Sequence, residues 1–424
     1  MELPRGMKDF EQDELEKIEL IREKFLETSK LFGFRRIEPS PIELLSTLEA
    51  KSGSAIRDEI YYFKDKGERD VALRFDFTVG LTRYVVSQKS LKLPAKISSF
   101  GGVWRYDEPQ KGRYRFFHQW NIEIYGKPSI ESEAEVIEFT SRLFDAFGLK
   151  HIIIDINHRS LVESYIKSVL GTEDKAKISD ILRAVDKVSK KSKNEILSEY
   201  QKKGYSKEKL EKILEFSRIK GSLNEVEKKF DVSRLESWSD LKNLWDSLQN
   251  RDVKNIRINF GIVRGLDYYS GMVFEVFDEK SNLGALAGGG RYDSLAKAFG
   301  REDLGATGVA GGVERIILTM EEQGITKLEQ SKSIYVLYVN DEMQKHATSL
   351  ASKLRQKGIQ VEIDLSGRSL KKQMESASES KFAIIIAPKE FSSKSLILRN
   401  MDDGKEKHLT VDELLKNPKS ILNL

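Results

Sequence analysis

The stretch Val103 to Gly126, VWRYDEPQKGRYRFFHQWNIEIYG, constrains the fold more than any other part of this 424-residue chain. It reads as a strand, a polar loop containing Pro109 and Gly112, and a return strand. Because strand side chains alternate between faces, Phe116, His118, Trp120, Ile122 and Ile124 point one way. Arg115, Phe117, Gln119, Asn121, Glu123 and Tyr125 point the other. The first face is apolar enough to cover a core. The second mixes long amides and a carboxylate with aromatics, an unusual set for a face that only meets water, although ionic residues often do simply face solvent. On the outgoing strand Val103, Arg105 and Asp107 share a face, which sets Arg105 across the sheet from Gln119 and Glu123. The tip crowds Gln110, Lys111, Arg113 and Arg115 together, and guanidinium groups match phosphate bidentately.

Around this hairpin the patterning divides the chain. Apolar residues at Leu15, Ile18, Ile21, Phe25 and Leu31 predict an amphipathic helix over Asp13 to Phe32, ending near Gly33. Short runs from FRRIEPSPIEL through EIYYFKD and DVALRFDFT to the hairpin predict an antiparallel sheet. A helix follows over Ser129 to Phe147, then the strand His151 to Ile156. Residues 171–250 are rich in Lys and Glu with apolar positions at helical spacing, a helical insertion after which NIRINFG and GMVFEVFD resume the sheet. From Ile334 strands and helices alternate, which predicts a separate α/β domain with a parallel or mixed sheet. The expected organisation is an α+β core over 1–325 and a second domain over 333–424.

Several chemistries are excluded. The chain has no Cys, so disulfides, Cys-ligated zinc, iron–sulfur clusters and thiol nucleophiles are absent. Its five His show no ligand spacing, and His118 falls on the core face. There is no G-x-x-x-x-G-K-[ST] phosphate loop and no G-x-S-x-G elbow. The amino terminus is charged and no run approaches a membrane span, so a cytoplasmic protein beginning at Met1 is expected. Three segments stay open on pattern alone. RGLDYYSGMVFEVF, from Arg264, is either an ordinary strand entry or a site with paired tyrosines. AGGGRYD, from Ala287, and GATGVAGGVER, from Gly305, carry glycines that serve either tight packing or close approach of a ligand, including an anion at the start of a helix.

Taken in order, these segments resemble the class II aminoacyl-tRNA synthetases, and within them the histidyl-tRNA synthetase family, over essentially the whole chain. FGFRRIEPSPIE, with Pro41, is similar to motif 1, which in the family lies at the dimer interface. Val103 to Gly126 is similar to motif 2 and GATGVAGGVERI to motif 3, while RGLDYYSGMVFE and AGGGRYD resemble the two histidine-specific signatures. The resemblance implies an antiparallel-sheet catalytic core with a helical insertion and a carboxy-terminal α/β anticodon-binding domain. It implies activation of L-histidine by ATP, with Mg2+ accompanying the nucleotide, and transfer to histidine tRNA by a homodimer.

The same resemblance implies residue roles. Arg105 and Arg264 would hold the α-phosphate and the histidine carboxylate, Arg264 as a fixed cation where other class II enzymes use a metal ion. Arg315 would meet the γ-phosphate and the adenine face, Tyr114 and Phe117 would border adenine, and Arg113 would lie near the triphosphate. Asp76 and Thr78 would bind the amino group, Gln119 would contact substrate, and Glu123 with Tyr269 would bracket the imidazole, with Tyr268 and Tyr292 beside them. Gln110, Lys111 and Arg113 are implied readers of the tRNA end. Two positions depart from the bacterial pattern, Asp76 for Glu and Asn121 for Gly. The alternative is a noncatalytic relative, the histidine-binding regulatory subunit of ATP phosphoribosyltransferase, which loses these arginines and usually lacks the last domain. Net charge is only +4, and Lys332 to Leu424 hold 16 Lys and Arg against 12 Asp and Glu, so the excess lies in the segment expected to meet RNA.

Overall fold

The computed structural model describes residues 2–109, 112, 114–189, 191–263, 269–325 and 333–422. The chain divides into two compact units, Met1–Thr326 and Lys327–Leu424. The first contains β1 (Arg35–Arg36), β2 (Ile42–Leu44), β3 (Tyr62–Lys64), β4 (Asp70–Leu73), β5 (Ala95–Trp104), β6 (Phe116–Gly126) and β7 (Ile152–His158). It continues with β8 (Lys220–Gly221), β9 (Ile256–Asn259), β10 (Met272–Asp278), β11 (Ala287–Arg291) and β12 (Gly305–Gly312). Nine of these form one sheet in the order β1-β5-β6-β12-β11-β10-β7-β9-β8, and β2-β4-β3 form a small second sheet.

The large sheet is antiparallel except at two pairs. β1 lies parallel to β5, and β7 parallel to β9. Both exceptions follow from what separates the strands, because parallel neighbours need a long crossover. Between β1 and β5 the chain builds the small sheet and the helix Thr78–Ser87; between β7 and β9 it runs through six helices, from Arg159–Leu170 to Trp238–Asn250. The helical run thus starts directly after β7, and its Ile178, Ile181, Tyr200, Leu210, Phe216 and Leu244 join the main core.

The two faces of the sheet differ as the alternation in β6 requires. Trp120, Ile122 and Ile124 pack under the helices Gln12–Leu31 and Ile130–Ala146, which bury Ile18, Ile21 and Phe25, and Val136, Ile137 and Phe139. The Ser129 hydroxyl caps the second helix by accepting from Ser132 N–H at 3.1 Å. Each such large side chain contributes about 1.5 to 3 kcal/mol through burial. Gly311 stands opposite Trp120 in the β6/β12 register, and a Cβ there would fall 2.4 Å from the indole ring. Glycine therefore lets the ring lie flat on the neighbouring strand. On the other face Phe77, Leu81, Tyr125, Tyr269, Val273 and Tyr292 form a smaller core around the polar residues described below.

The second unit is a five-stranded sheet ordered β14 (Val361–Ile363), β13 (Ile334–Tyr338), β15 (Phe382–Ile386), β16 (Ser395–Asn400), β17 (Glu406–Thr410). The alternation seen in the sequence accounts for the parallel β13, β14 and β15. β16 adds to β15 antiparallel, burying Leu396 and Leu398, and β17, whose sequence EKHLT carries little apolar periodicity, is a strand because it pairs with β16. Among the described residues no helix is long and apolar enough to cross a membrane.

His158, at the end of β7, is buried and neither ring nitrogen has a hydrogen-bond partner among the described residues. Burial, reinforced by the positive charge of Arg291 against the opposing charge of Asp240, lowers its pKa to about 4. A histidine held neutral in the fold costs stability as the pH falls through 6.5 towards 4, about 2 kcal/mol at pH 5. The expected result is that the parent loses more melting temperature between pH 7 and pH 5 than His158→Leu does. Equal losses would show that His158 is not the titrating group.

Candidate active site

The polar face of β6 meets the segment that leads from β4 into the helix Thr78–Ser87. Glu123, only 1% exposed, is the hub. One carboxylate oxygen accepts from the Thr78 hydroxyl at 2.8 Å and from the Asn121 amide at 3.2 Å. The other accepts from the Tyr292 hydroxyl. Asn121 also takes a hydrogen bond from Gln119 at 2.6 Å, and the Gln119 carbonyl accepts from the Arg105 guanidinium at 3.1 Å. One hydrogen-bonded chain therefore runs from Arg105 through Gln119 and Asn121 to Glu123, Thr78 and Tyr292. A buried charge of this kind is tolerated because each carboxylate oxygen has a donor. Next to it the Tyr125 hydroxyl, paired with Thr82 at 3.1 Å, is pushed well above its ordinary pKa by burial and by the Glu123 charge.

The glycine-rich strands make room for this hub. Gly308 lies opposite Glu123, and a Cβ there would be 1.5 Å from a carboxylate oxygen. At Gly290 a Cβ would meet the Tyr269 ring at 2.9 Å. The glycines of AGGGRYD and GATGVAGG thus lie within β11 and β12 and let Glu123 and Tyr269 rest on the sheet. Tyr269 and Tyr292 stand edge to face with ring centroids 6.4 Å apart.

The phosphate-facing candidates lie at the other end of β6. Arg105 is held by the Phe75 carbonyl at 3.0 Å and lies over the Phe117 ring at 5.1 Å. Asp76, one residue on, is buried and accepts from Val79 N–H at 3.3 Å. Gly312 pairs with Gln119, so the helix Val313–Glu322 starts beside the beginning of β6. There Glu314 accepts from the His118 backbone N–H at 2.8 Å and sits 2.9 Å from its Nδ1, which satisfies the histidine that falls on the core face. Arg315, half-buried, donates to the Ala285 carbonyl at 2.6 Å. Tyr114 lies under Lys8 Nζ at 4.5 Å, beside the amino-terminal segment.

Of the residues singled out in the sequence, the structure gathers Arg105, Gln119, Glu123, Thr78 and Tyr292 into one network, with Phe117, Asp76 and Tyr269 bordering it. Arg113, Gln110, Lys111, Arg264 and Tyr268 lie outside the described residues. Arg115 differs from the expectation for a cation at the hairpin tip. It is 8% exposed, and its guanidinium donates to the carbonyls of Asp107 and Arg5 and stacks on Tyr106 at 3.9 Å. Sequence reasoning missed Asn121 as the bridge between Gln119 and Glu123, and Gly308 as the floor beneath Glu123. The strand register that reveals both is a long-range property. Gly308→Ala is expected to destabilise the fold by about 1 to 3 kcal/mol through overpacking, read by chemical denaturation. A variant as stable as the parent would show that the Glu123 carboxylate can move aside freely.

Comparison with known proteins agrees with this geometry. Residues 6–316 match the family model described as histidyl-tRNA synthetase, and residues 333–420 match an anticodon binding domain. A histidine–tRNA ligase of Pyrococcus furiosus is 34% identical across 100% of this chain and 99% of its own length. The crystal structure of histidyl-tRNA synthetase from a Nostoc species superposes with a TM-score of 0.80 at 25% identity, covering 98% of this chain and 99% of that one. A Bacillus halodurans structure titled as an ATP phosphoribosyltransferase regulatory subunit/histidyl-tRNA synthetase shares the fold at a TM-score of 0.75 and 22% identity, covering 91% of this chain and 98% of that one. With a matching family model over most of the chain and relatives above 30% identity along all of it, the chain belongs to the histidyl-tRNA synthetase family.

Proposed function

We propose that this chain is a ligase that activates L-histidine with ATP to histidyl-adenylate and transfers the histidyl group to the 3′ end of histidine tRNA. The observation that carries the reading is the continuous network from Arg105 to Glu123, which sets a cation and a buried hydrogen-bond acceptor at opposite ends of one row of polar side chains. In the first step the histidine carboxylate attacks the α-phosphorus and pyrophosphate leaves. In the second a hydroxyl of the terminal tRNA ribose attacks the activated carbonyl and AMP leaves. Neither step needs a nucleophile from the protein, so catalysis is positioning and stabilisation of charge.

Arg105 and Arg264 take the α-phosphate and the carboxylate; Arg315 and Arg113 take the distal phosphates, with Tyr114 and Phe117 along adenine. Mg2+ enters as part of the nucleotide substrate. Asp76 and Thr78 receive the amino group, and Gln119 contacts the amino acid. Glu123 and Tyr269 face the two imidazole nitrogens, with Tyr268 and Tyr292 completing the wall. A site built from buried hydrogen-bonding groups rejects near-isosteres strongly, because a wrong side chain leaves those groups without partners. Gln110, Lys111 and Arg113 meet the tRNA end, and the slightly basic second unit meets the anticodon. A homodimer is supported by the motif 1 likeness and by Ile42, Leu44, Tyr62 and Phe63, all exposed on the small sheet. The reading places the protein in the cytoplasm.

The noncatalytic alternative is disfavoured by the presence of Arg105, Arg264 and Arg315 and by the anticodon-binding match. The test is histidine-dependent ATP–pyrophosphate exchange followed by charging of histidine tRNA. Histidine binding without exchange would favour the regulatory reading. Arg264→Ala is expected to lower adenylate formation roughly 100- to 1000-fold with folding intact, the usual loss when one donor to a developing charge is removed. Exchange within a few-fold of the parent would remove Arg264 from the chemistry.

A further inference from the structure

The hairpin between Arg105 and Arg115 is secured from a distant part of the chain. The Met7 N–H closes a four-residue turn on the Pro4 carbonyl at 3.0 Å, with Gly6 at its third position and φ of +82°. Only glycine adopts that conformation without strain. Two carbonyls of this turn face Arg115. That of Gly6 accepts the Arg115 backbone N–H at 3.0 Å, and that of Arg5 accepts its guanidinium at 3.1 Å. The Arg115 carbonyl in turn accepts the Arg105 N–H at 2.9 Å. A ladder of backbone bonds therefore runs from Gly6 through Arg115 to Arg105, just beyond the last β5/β6 pair, Trp104 with Phe116.

The fit leaves no slack. A Cβ on Gly6 would lie 2.8 Å from Cγ and Cδ of Arg115 and from the ring of Pro109. The following residues continue the contact, with Lys8 over the rings of Phe10 and Tyr114, and Phe10 edge-on to Phe116 and His118 at 5.9 and 5.3 Å. The exposed ion pair of Arg5 with Glu108 adds little, because exposed pairs are largely screened. The buried and directional contacts come from the turn's carbonyls.

We propose that the turn Pro4–Met7, acting through Arg115, is a positioning element for the nucleotide half of the site, holding Arg105 and Tyr114 in the register that receives ATP. This rests on the ligase reading above. Arg115 is then a positioning residue whose cation is spent inside the protein. The imidazole end of the site, built on Glu123 and Thr78, is joined to the turn only indirectly, through Arg105, Gln119 and Asn121.

The experiment measures ATP–pyrophosphate exchange by the full-length parent, Gly6→Val, Arg115→Lys and Glu108→Gln, with KM determined separately for ATP and for histidine, and melting temperature alongside. Gly6→Val loses the turn while Arg115 stays, and Arg115→Lys keeps the charge but not the two-carbonyl reach. Both are expected to raise KM for ATP about tenfold and KM for histidine by no more than about threefold, because Arg105 serves both substrates whereas Tyr114 serves the nucleotide alone. Glu108→Gln is expected to behave as the parent. Values of KM for ATP unchanged in both Gly6→Val and Arg115→Lys would overturn the proposal. So would equal shifts for both substrates accompanied by a lowered melting temperature, which mark a merely structural contact. A parent without histidine-dependent exchange would instead sink the ligase reading and the inference with it.

Discussion

A carboxylate buried in the middle of a sheet is the constraint on which this structure turns. Glu123 is almost fully removed from water, and an ionised group in that position is affordable only when surrounded by donors. Thr78, Asn121 and Tyr292 supply them, from positions 45, 2 and 169 residues away in sequence. The surrounding architecture follows from that need. The helix Thr78–Ser87 must begin against β6, the segment carrying Tyr292 must return along β11, and β12 must pass beneath the carboxylate as bare backbone at Gly308.

The same sheet separates stability from chemistry. On one face large apolar side chains pack under two long helices, and Gly311 accommodates Trp120. On the other, glycines accommodate Glu123 and Tyr269. Glycine in strands ordinarily weakens a sheet by lowering β-propensity and raising the entropic cost of folding. Here that cost is offset by what lies above each position, an indole on one side and a site residue on the other. The glycines that looked equally suited to packing and to ligand approach turn out to serve packing first, with the shape of the site as the result.

Much of the fold was legible because its signals are local. The alternation from Arg115 to Gly126 named both faces of β6, including the satisfied His118 and the Arg105–Gln119 contact across the hairpin. The helical spacing of Ile18, Ile21 and Phe25 located the first helix to within a residue or two. Where local signals conflicted or were weak, the reading fell short. FRRIEPSPIEL reads as part of one antiparallel sheet, yet Arg35–Arg36 and Ile42–Leu44 belong to different sheets, with prolines between them that cannot donate to a ladder, and the first pairs parallel to β5. β17 carries no strong period and exists as a strand because β16, itself paired to β15, offers it an edge.

The site divides along the same line. The sequence alone determined which residue types could do chemistry, their ordered motifs, and the face each takes in its own strand, since these depend on covalent geometry and periods of a few residues. Only the tertiary structure decided which of them meet. Arg115, equivalent on paper to any other cation at the hairpin tip, is turned inward because two backbone carbonyls, that of Arg5 far upstream and that of Asp107 across the loop, find their donor there. Asn121, an unexplained departure in the sequence, is the amide that joins Gln119 to Glu123, because an amide carries a donor and an acceptor on one group and can link two partners of opposite demand.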